Sequence, residues 1–469
     1  MQSSSLPAPG TPIWVGDGLQ PCPTLSPGDR LIAVQRQSAL LAIPAAAWQA
    51  AESAVGQAQS ALGALVQCSE AQVSSFFEAF ADRLTDTHVW QAICAANARD
   101  VAAAQARGHT VGRLGVSEKM RQAMIAGLRG WASVPSQLGA VVERRQGDDF
   151  SIERRRVPLG VVAFVFEGRP NVLADGAGVL RFGNAAVMRI GSDAQGTADA
   201  LAQHALTPAL ASSGLPQGAI SLVQSRDRAA AQALFAQPGV ALAVARGSGP
   251  AVSLLGAIAA QSGIPCSLHG TGGAWMLVEA SCTPGRLRQA IEHSLDRKVC
   301  NTLNTLVLTE EASQVHQALV RDTLASLKAQ MHVTTDARRA GFDGTPIREE
   351  ALNQEWEWDE RPELSLAVAR DLEAACTLCN AHSPRFVVSV LTGDEAEAER
   401  CFRRLEAPYC GNAFTRWVDG QWAWQRPELG LTNWEQGRLM ARSGILTGSD
   451  IYSIREVFHD TTGKAAQQR

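Results

Sequence analysis

From Val161 onward the chain alternates short apolar runs with Ala-rich segments, and this alternation restricts the fold more than any other feature. The apolar runs are Val161 to Phe166, Ala185 to Arg189, Ile220 to Val223 and Leu242 to Ala245. Helical stretches lie at about 171–182, 195–213, 227–236 and 249–261. Short strands separated by helices pair in parallel through βαβ crossovers, so the chain is predicted to be α/β. A sheet of this kind offers a nucleotide cleft at the carboxyl ends of its strands.

Around that core the texture changes. Between Ala45 and about Val134, apolar residues recur three and four apart in "AWQAAESAVGQAQSALGALVQ" and three later segments, which predicts four helices ahead of the sheet. The stretch "GAVVERRQGDDFSIERRRVPLG" gives two strand-like arms about Gln146-Gly147-Asp148-Asp149, a hairpin with charged faces suited to pairing with another subunit. A second α/β segment begins near Pro265, with strands at Ala274 to Val278 and Leu303 to Leu308 and a helix at 283–296. The Trp-rich "RWVDGQWAWQRPELGLTNWEQG" leads to a last strand, Ile451 to Val457, and reads as core or subunit packing rather than a ligand cage. Residues 1–45, rich in Pro, Ser and Gly, look like an appendage with strand-like runs at Leu31 to Val34 and Leu40 to Ile43. The expected organisation is an extension (1–45), a helical and Rossmann-like cofactor domain (46–264) with an oligomerisation hairpin (139–157), a catalytic domain (265–425), and a C-terminal return with an oligomerisation strand (426–469).

The 42 basic and 46 acidic residues among 469 leave a formal charge of -4, so no general basic field exists to collect nucleic acid or anionic lipid. Any anion site must be local. The opening lacks the charged start and apolar run of a secretory signal, and no segment stays apolar for about 18 residues, which predicts a soluble cytoplasmic protein. Ten scattered cysteines read as reduced thiols. Cys376 and Cys379 have metal-ligand spacing but no second pair to complete a site; two packed helix cysteines are expected there, and no metal.

Three strand ends carry residues suited to phosphate or ribose. They are Glu167-Gly168-Arg169-Pro170-Asn171, Arg189 with Gly191 and Ser192, and Arg246-Gly247-Ser248-Gly249-Pro250, each opening a helix where backbone N–H groups favour anions. A different signal lies in "DRKVCNTLNT", where Cys300 stands between a cationic run and small polar residues. It is either a nucleophile activated by Arg297 or Lys298 or a small buried hydrophobe, and the flanking cations favour the first.

The segments "RRRVPLGVVAFVFEGRPNVLADGAGVLRFGNAAVMRIGSDA", "SGLPQGAISLV", "VARGSGPAV" and "KVCNTLNTLVL" resemble the glutamate-5-semialdehyde dehydrogenases, also called γ-glutamyl phosphate reductases, within the aldehyde dehydrogenase superfamily. The resemblance runs from about residue 50 to the end and is most specific from Val157 to Leu308. It implies a Rossmann-like cofactor domain, a catalytic domain carrying the cysteine, and a hairpin that builds a homodimer or homotetramer. It also implies NADPH-dependent reduction of γ-glutamyl phosphate to the semialdehyde in proline synthesis. Cys300 matches the catalytic cysteine of that family, followed by Asn301. Arg189 and Ser192 match positions that hold the adenosine ribose and its phosphate, Glu360 matches a glutamate that grips the nicotinamide ribose, and Arg169, Pro170 and Asn171 keep an "RPN" turn. Three departures stand out. Asp296 occupies the place of an Arg four residues before the cysteine, and Met440 and Gly444 replace a His and a Pro in "RLMARSG".

Between Ala241 and Val278 there is no Asp or Glu, so a thioester on Cys300 lacks the carboxylate base that oxidising relatives use against water; His269 is either a substitute base or a structural residue. The expected chemistry is attack of Cys300 on an acyl phosphate, loss of phosphate, and hydride transfer from NADPH. The backbone N–H of Cys300 and the side chain of Asn171 or Asn301 are the oxyanion donors, and Arg169, Arg297, Lys298 and His269 are candidate substrate contacts. A paralogous reductase acting on another activated acid or aldehyde, and a non-catalytic binding or assembly relative, stay open as alternatives.

Overall fold

The computed structural model describes residues 6–109, 111, 114–166, 171–418, 424, 428–435, 438–439, 444–463 and 465. The chain forms two compact units, Met1–Leu268 with Pro427–Gly430 and Leu446–Arg469, and His269–Arg426 with Leu431–Ile445.

The first unit is built on a five-stranded sheet of β1 (Val161–Phe166), β2 (Ala185–Ile190), β3 (Ile220–Leu222), β4 (Val240–Arg246) and β5 (Cys266–His269), in the order β5-β4-β1-β2-β3, with β4, β1, β2 and β3 paired in parallel. Every residue of β1 and β2 is buried, which is why both read as unbroken apolar runs: helices cover both faces. The register aligns Phe166 with Ile190 and with Arg246, so the carboxyl ends of three neighbouring strands finish level. Four helices precede the sheet, α1 (Ala45–Leu65), α2 (Glu70–Thr85), α3 (Thr87–Ala106) and α4 (Glu118–Ser133). A capping box between Ser69 and Gln72 starts α2, whose Phe76, Phe77 and Phe80 are fully buried.

Two connections depart from simple helices. The stretch expected as one helix at 171–182 is a short α turn, Val172–Gly176, continued by a 3-10 segment, Ala177–Phe182. Its glycines admit close neighbours: a Cβ at Gly178 would lie 2.2 Å from the Trp131 ring and one at Gly176 2.5 Å from Met188. Between Gln195 and Ser213 the helix contains a π segment, Ala202–Leu206, next to Pro208, which has no N–H to donate to the preceding turn.

The segment expected as an appendage is folded onto the first unit. It contains hairpins of Pro12–Val15 with Gly18–Pro21 and of Arg30–Val34 with Ala39–Ile43, the first of them not anticipated. Val34 and Ile43 are fully buried, and Gln37 Nε2 donates to Ser253 Oγ at 3.0 Å on helix α5 (Gly249–Gln261). The charged hairpin pairs Val141–Gln146 with Phe150–Pro158, and Tyr452–Asp460 adds a third antiparallel strand along Phe150–Pro158. There the Glu153 carboxylate, nearly buried, receives Arg144 and Arg155.

The second unit carries a seven-stranded sheet of β6 (Ala274–Val278), β7 (Leu303–Thr309), β8 (Gln330–Val333), β9 (Thr345–Pro346), β10 (Glu363–Ala369), β11 (Val387–Leu391) and β12 (Tyr409–Gly411), in the order β9-β8-β10-β7-β6-β11-β12, every pairing parallel. Helix α6 (Leu372–His382) buries Cys376 and Cys379 in the same core as Cys401 on helix α7 (Glu395–Arg404), as packed thiols. No helix among the described residues is long and apolar enough to cross a membrane.

One buried cation ties α4 to the sheet connection. Arg181, 2% exposed, donates from Nε and Nη2 to the Trp131 carbonyl at 3.0 and 2.9 Å, and from Nη2 to the Ala132 carbonyl and Ser74 Oγ at 2.7 Å each. It adds charged donors to the last carbonyls of α4, of which Trp131 also accepts from Val134 N at 3.3 Å and Ala132 from Ser74 Oγ at 3.2 Å. Arg181→Ala is expected to lower the unfolding free energy by about 3 kcal/mol in urea titrations, because several charged hydrogen bonds are lost together from a buried site.

Candidate active site

In the second unit Cys300 sits on the turn between a helix, Pro284–Ser294, and β7, half-buried. Thr302 folds that turn: its hydroxyl donates to the Arg297 carbonyl at 2.7 Å and accepts from Val299 N at 2.9 Å. The glycine loop 270–273, which joins β5 to β6, lies against the cysteine backbone. Gly273 N donates to the Cys300 carbonyl at 2.7 Å, and Ala274 N to the Thr302 carbonyl at 2.8 Å. A Cβ on Gly272 would fall 2.8 Å from the Cys300 carbonyl oxygen and 2.9 Å from its Cα, and Gly273 has φ of +101°. The sequence "HGTGG" is therefore a requirement of close approach and of left-handed backbone. Asn433 holds the far side of the loop, donating to the Thr271 carbonyl at 3.0 Å and accepting from Gly270 N at 3.3 Å.

The cations beside the cysteine are disposed differently from the sequence expectation. Lys298 is 7% exposed at its side chain, and its ammonium donates to Glu355 Oε1 at 2.6 Å, with Glu357 at 3.9 Å. The other Glu355 oxygen accepts from Gly272 N at 2.6 Å. Lys298 is thus engaged by a carboxylate rather than left to face the thiol, while Arg297 is exposed. Asp296 pairs with Arg416, which also approaches the Arg297 carbonyl at 3.4 Å. Asn301, expected as an oxyanion donor, is engaged with a neighbouring turn. Buried at 6% exposure, it donates from Nδ2 to the Val418 carbonyl at 3.2 Å, and its Oδ1, without a partner among the described residues, is an acceptor. The side chain holds the 415–418 turn, and Thr415 Oγ1 returns a bond to the Asn301 carbonyl at 2.7 Å. His269 is buried with its ring 4.7 Å from that of Phe386, which fits packing better than proton transfer.

Cys376, Cys379 and Cys410 of the unit are ill suited to nucleophilic work. Burial pushes Cys379 and Cys410 up to about 12, and Cys376 is raised by its hydrogen bond with Cys401 and by burial.

In the first unit the strand ends gather the cofactor candidates. Arg189, at the end of β2 and 5% exposed, donates to the Asp227 carbonyl at 3.2 Å. Gly191 N donates to the Phe166 carbonyl at 3.2 Å, which brings the loop after β2 across the end of β1. Ser192 opens the 3-10 turn Ser192–Ala194, and its hydroxyl makes no hydrogen bond among the described residues. The next residue, Asp193, accepts from Arg107 at 2.8 Å and contacts His109 at 2.7 Å; burial raises its pKa, but those two partners outweigh burial and the net shift is downward. Arg246 pairs with Glu428, and Gly247 and Ser248 lead into α5, with Ser248 at the N-cap. Asn171 precedes Val172–Gly176 and donates to Asp175 Oδ2 at 3.0 Å.

The sequence-predicted residues thus fall into two groups. His269, Lys298, Cys300 and Asn301 belong to one bonded loop cluster, and Arg189, Gly191, Ser192, Gly247 and Ser248 lie at the ends of neighbouring parallel strands. Glu360 is exposed in the bend before β10 and bonds to no described residue. Arg169 and Met440 lie outside the described residues. Glu355, Gly272 and Asn433 were not anticipated; the glycine pair was a visible signal for the loop, but nothing local marks Glu355 or Asn433 as its partners.

A parallel sheet with cofactor-type strand ends, and a loop-held cysteine on a second α/β unit, define an oxidoreductase of the aldehyde dehydrogenase kind. The aldehyde dehydrogenase family model matches residues 30–354, and the chain belongs to that family. Within it, the relatives are γ-glutamyl phosphate reductases: that of Afipia carboxidovorans is 31% identical over 364 residues, covering 75% of this chain and 82% of the relative, and that of Anaeromyxobacter sp. is 34% identical over 359 residues, covering 72% and 81%. The crystal structure of γ-glutamyl phosphate reductase from Thermotoga maritima superposes with a TM-score of 0.80 at 20% identity, over 89% of this chain and 100% of that one, and shows the same fold.

The close approach at Gly272 has a measurable consequence. Gly272→Ala forces the loop away from the Cys300 backbone, and a displacement near 1 Å lowers kcat by about a hundredfold. Turnover should fall accordingly while the unfolding transition and cofactor affinity stay near those of the parent protein.

Proposed function

We propose that the chain reduces an acyl phosphate, L-glutamyl 5-phosphate, to L-glutamate 5-semialdehyde and phosphate with NADPH, through a thioester on Cys300. The observation that carries the reading is that the carboxylate bonded to the glycine loop at Cys300 is already engaged. Residues 241–278 contain no Asp or Glu, and both oxygens of Glu355 are occupied by Lys298 and Gly272 N–H. A thioester in such a site persists long enough to be reduced instead of hydrolysed. The names of the relatives support the substrate, and a thiol that attacks an acyl phosphate has phosphate as a good leaving group.

Cys300 Sγ bonds to the acyl carbon and the C–O bond to phosphate breaks, the phosphate leaving with the electron pair. The backbone N–H of Cys300 is the oxyanion donor of this reading. Arg189, Gly191 and Ser192 would hold the adenosine ribose and its 2'-phosphate, Gly247 and Ser248 the bridging phosphates, and Glu360 the nicotinamide ribose. The unengaged Ser192 hydroxyl and the exposed, unpaired Glu360 fit that role. When bound, NADPH supplies the hydride that converts the thioester carbon to the aldehyde level. The C–S bond then breaks, its electrons return to Sγ, and the aldehyde is released.

A second reading keeps the chemistry and changes the acid. It is favoured by Asp296, paired with Arg416, at a place where an Arg is usual in the family. We also propose a cytoplasmic homo-oligomer. Ten free cysteines support a reducing compartment, and Val141, Val142 and Phe458, between 43% and 57% exposed on the charged three-stranded sheet, support a subunit contact.

Oxidation of glutamate 5-semialdehyde with NADP, compared with other ω-semialdehydes, should depend on inorganic phosphate. Cys300→Ala should abolish it, by at least about a thousandfold, with cofactor binding retained, and Cys376→Ala should leave it within a few-fold. Phosphate-independent oxidation would overturn the acyl phosphate reading. Arg189→Ala should weaken NADPH by about ten- to a hundredfold in fluorescence titrations and NADH far less; equal losses would assign Arg189 to packing alone.

A further inference from the structure

We propose that Glu355 is a positioning residue for Cys300: its carboxylate fixes the glycine loop against the cysteine backbone and cancels the charge of Lys298. The inference rests on Cys300 being the nucleophile. Three contacts carry it. A Cβ on Gly272 would stand 2.7 Å from Glu355 Oε1 and 2.9 Å from Cys300 Cα, so the carboxylate and the cysteine bracket one glycine. Glu355 accepts the Gly272 N–H at 2.6 Å and the Lys298 ammonium at 2.6 Å. Lys298 itself is only two residues from the cysteine and 7% exposed, too enclosed for solvent to neutralise it.

The segment that carries Glu355 is anchored independently. Asn304, on β7, donates to the Gln354 carbonyl at 2.8 Å and accepts from Trp356 N at 2.9 Å. The backbone on either side of Glu355 is thereby pinned to the strand that follows Cys300. The carboxylate is held at a fixed place, and the loop is held to it.

The ionisable groups on the elements around the thiol can be named. Its own turn carries Asp296, Arg297 and Lys298; the segment before β10 carries Glu355, Glu357, Asp359 and Glu360; the glycine loop is preceded by His269; and the 415–418 turn carries Arg416, paired with Asp296. Of these, Lys298 and Glu355 are bonded to each other, and Glu355 also to the loop that touches Cys300. Glu357, 3.9 Å from the ammonium and 64% exposed, makes no bond to that loop. Ionisation of the thiol therefore responds to the pair as a near-neutral unit. Removing one partner exposes the charge of the other, and the two removals act in opposite directions.

The test is the pH dependence of Cys300 alkylation by iodoacetamide from about pH 6 to 10, read by mass spectrometry on the Cys300 peptide so that other thiols do not contribute. Glu355→Gln keeps an acceptor for Gly272 N–H and leaves Lys298 positive, so the profile should move to lower pH by about one unit or more. Lys298→Met leaves the carboxylate alone and should move it upward by a similar amount. The K298M/E355Q double variant should return it to within a few tenths of a unit of the parent. Shifts in the same direction, or none in either variant, would show the pair to be structural only.

A single variant with a lone buried charge can fail to fold. Two double variants without that hazard separate the clamp from the charge: K298M/E355Q retains the acceptor and K298M/E355A does not. Their alkylation midpoints should coincide, and kcat of K298M/E355A should be at least tenfold lower, on the same misplacement argument as for Gly272. Equal kcat in the two would overturn the clamp. Alkylation needs no substrate, so opposite shifts alongside a lack of phosphate-dependent turnover would sink the acyl phosphate reading and leave the role of Glu355 standing.

Discussion

The hydrogen bond from Gly273 N to the Cys300 carbonyl is the contact on which the reacting end of the second unit depends. It exists because residue 272 has no Cβ and residue 273 takes a backbone conformation that side chains disfavour, so two loops separated by a helix can meet backbone to backbone. Other bonds support that one. Thr302 shapes the turn from below, Thr415 holds the Asn301 carbonyl, Asn433 holds Gly270 and Thr271, and Glu355 holds Gly272. The thiol is thus carried by a turn whose Arg297, Val299, Cys300, Asn301 and Thr302 carbonyls all accept hydrogen bonds. Preorganisation of this sort lets a loop act with the precision of a strand or helix.

The first unit meets a different requirement by a simpler route. Phosphate and ribose are bound through backbone amides and a few polar groups, so the need is for several loops to begin at one level. The register of β1, β2 and β4, with Phe166, Ile190 and Arg246 side by side, provides that level. The bond from Gly191 N to the Phe166 carbonyl then folds the second loop over the first strand, and Asp193 draws in Arg107 and His109 from beyond α3. These contacts bring the Arg107 guanidinium, paired with the Asp193 carboxylate, to the side of the sheet where Ser192 stands.

How much of this was legible depended on the range of the interaction that fixed each feature. The strands of the first sheet could be read because helices bury both faces, so that "VVAFVF" and "AAVMRI" had to be uninterrupted apolar runs. Cys300 stood out as a candidate because its neighbours in sequence are cations and small polar residues. Glu355 did not: it lies 57 residues from Lys298, in an acidic run with Glu357, Asp359 and Glu360, and only the fold decides which carboxylate reaches the loop. Adjacency to Cys300 likewise does not say where the Asn301 side chain points, and it donates to the Val418 carbonyl. The N-terminal segment looked detachable because its strands are short and their faces only partly apolar. Its docking is made by a few buried residues, Val34 and Ile43 among them, and by polar contacts with α5. The π segment near Pro208 and the 3-10 continuation after Gly176 are adjustments to local packing that periodicity does not register.

The engagement of Lys298 by Glu355 bears on what kind of nucleophile the site needs. A fixed cation beside a thiol raises the thiolate fraction but lowers the reactivity of each thiolate, since nucleophilicity falls with basicity. An acyl phosphate carries its own activation in the leaving group, so little is gained from a strongly stabilised thiolate and some reactivity is lost. A cation left uncompensated would also bind the anionic substrate and the released phosphate alike, which favours the ground state as much as the transition state and adds nothing to turnover. A near-neutral pair avoids both effects while its carboxylate still holds the glycine loop. The charge pattern "DRK" before Cys300 thus gains its meaning from two distant partners, Arg416 for the aspartate and Glu355 for the lysine, and leaves only the exposed Arg297 to solvent.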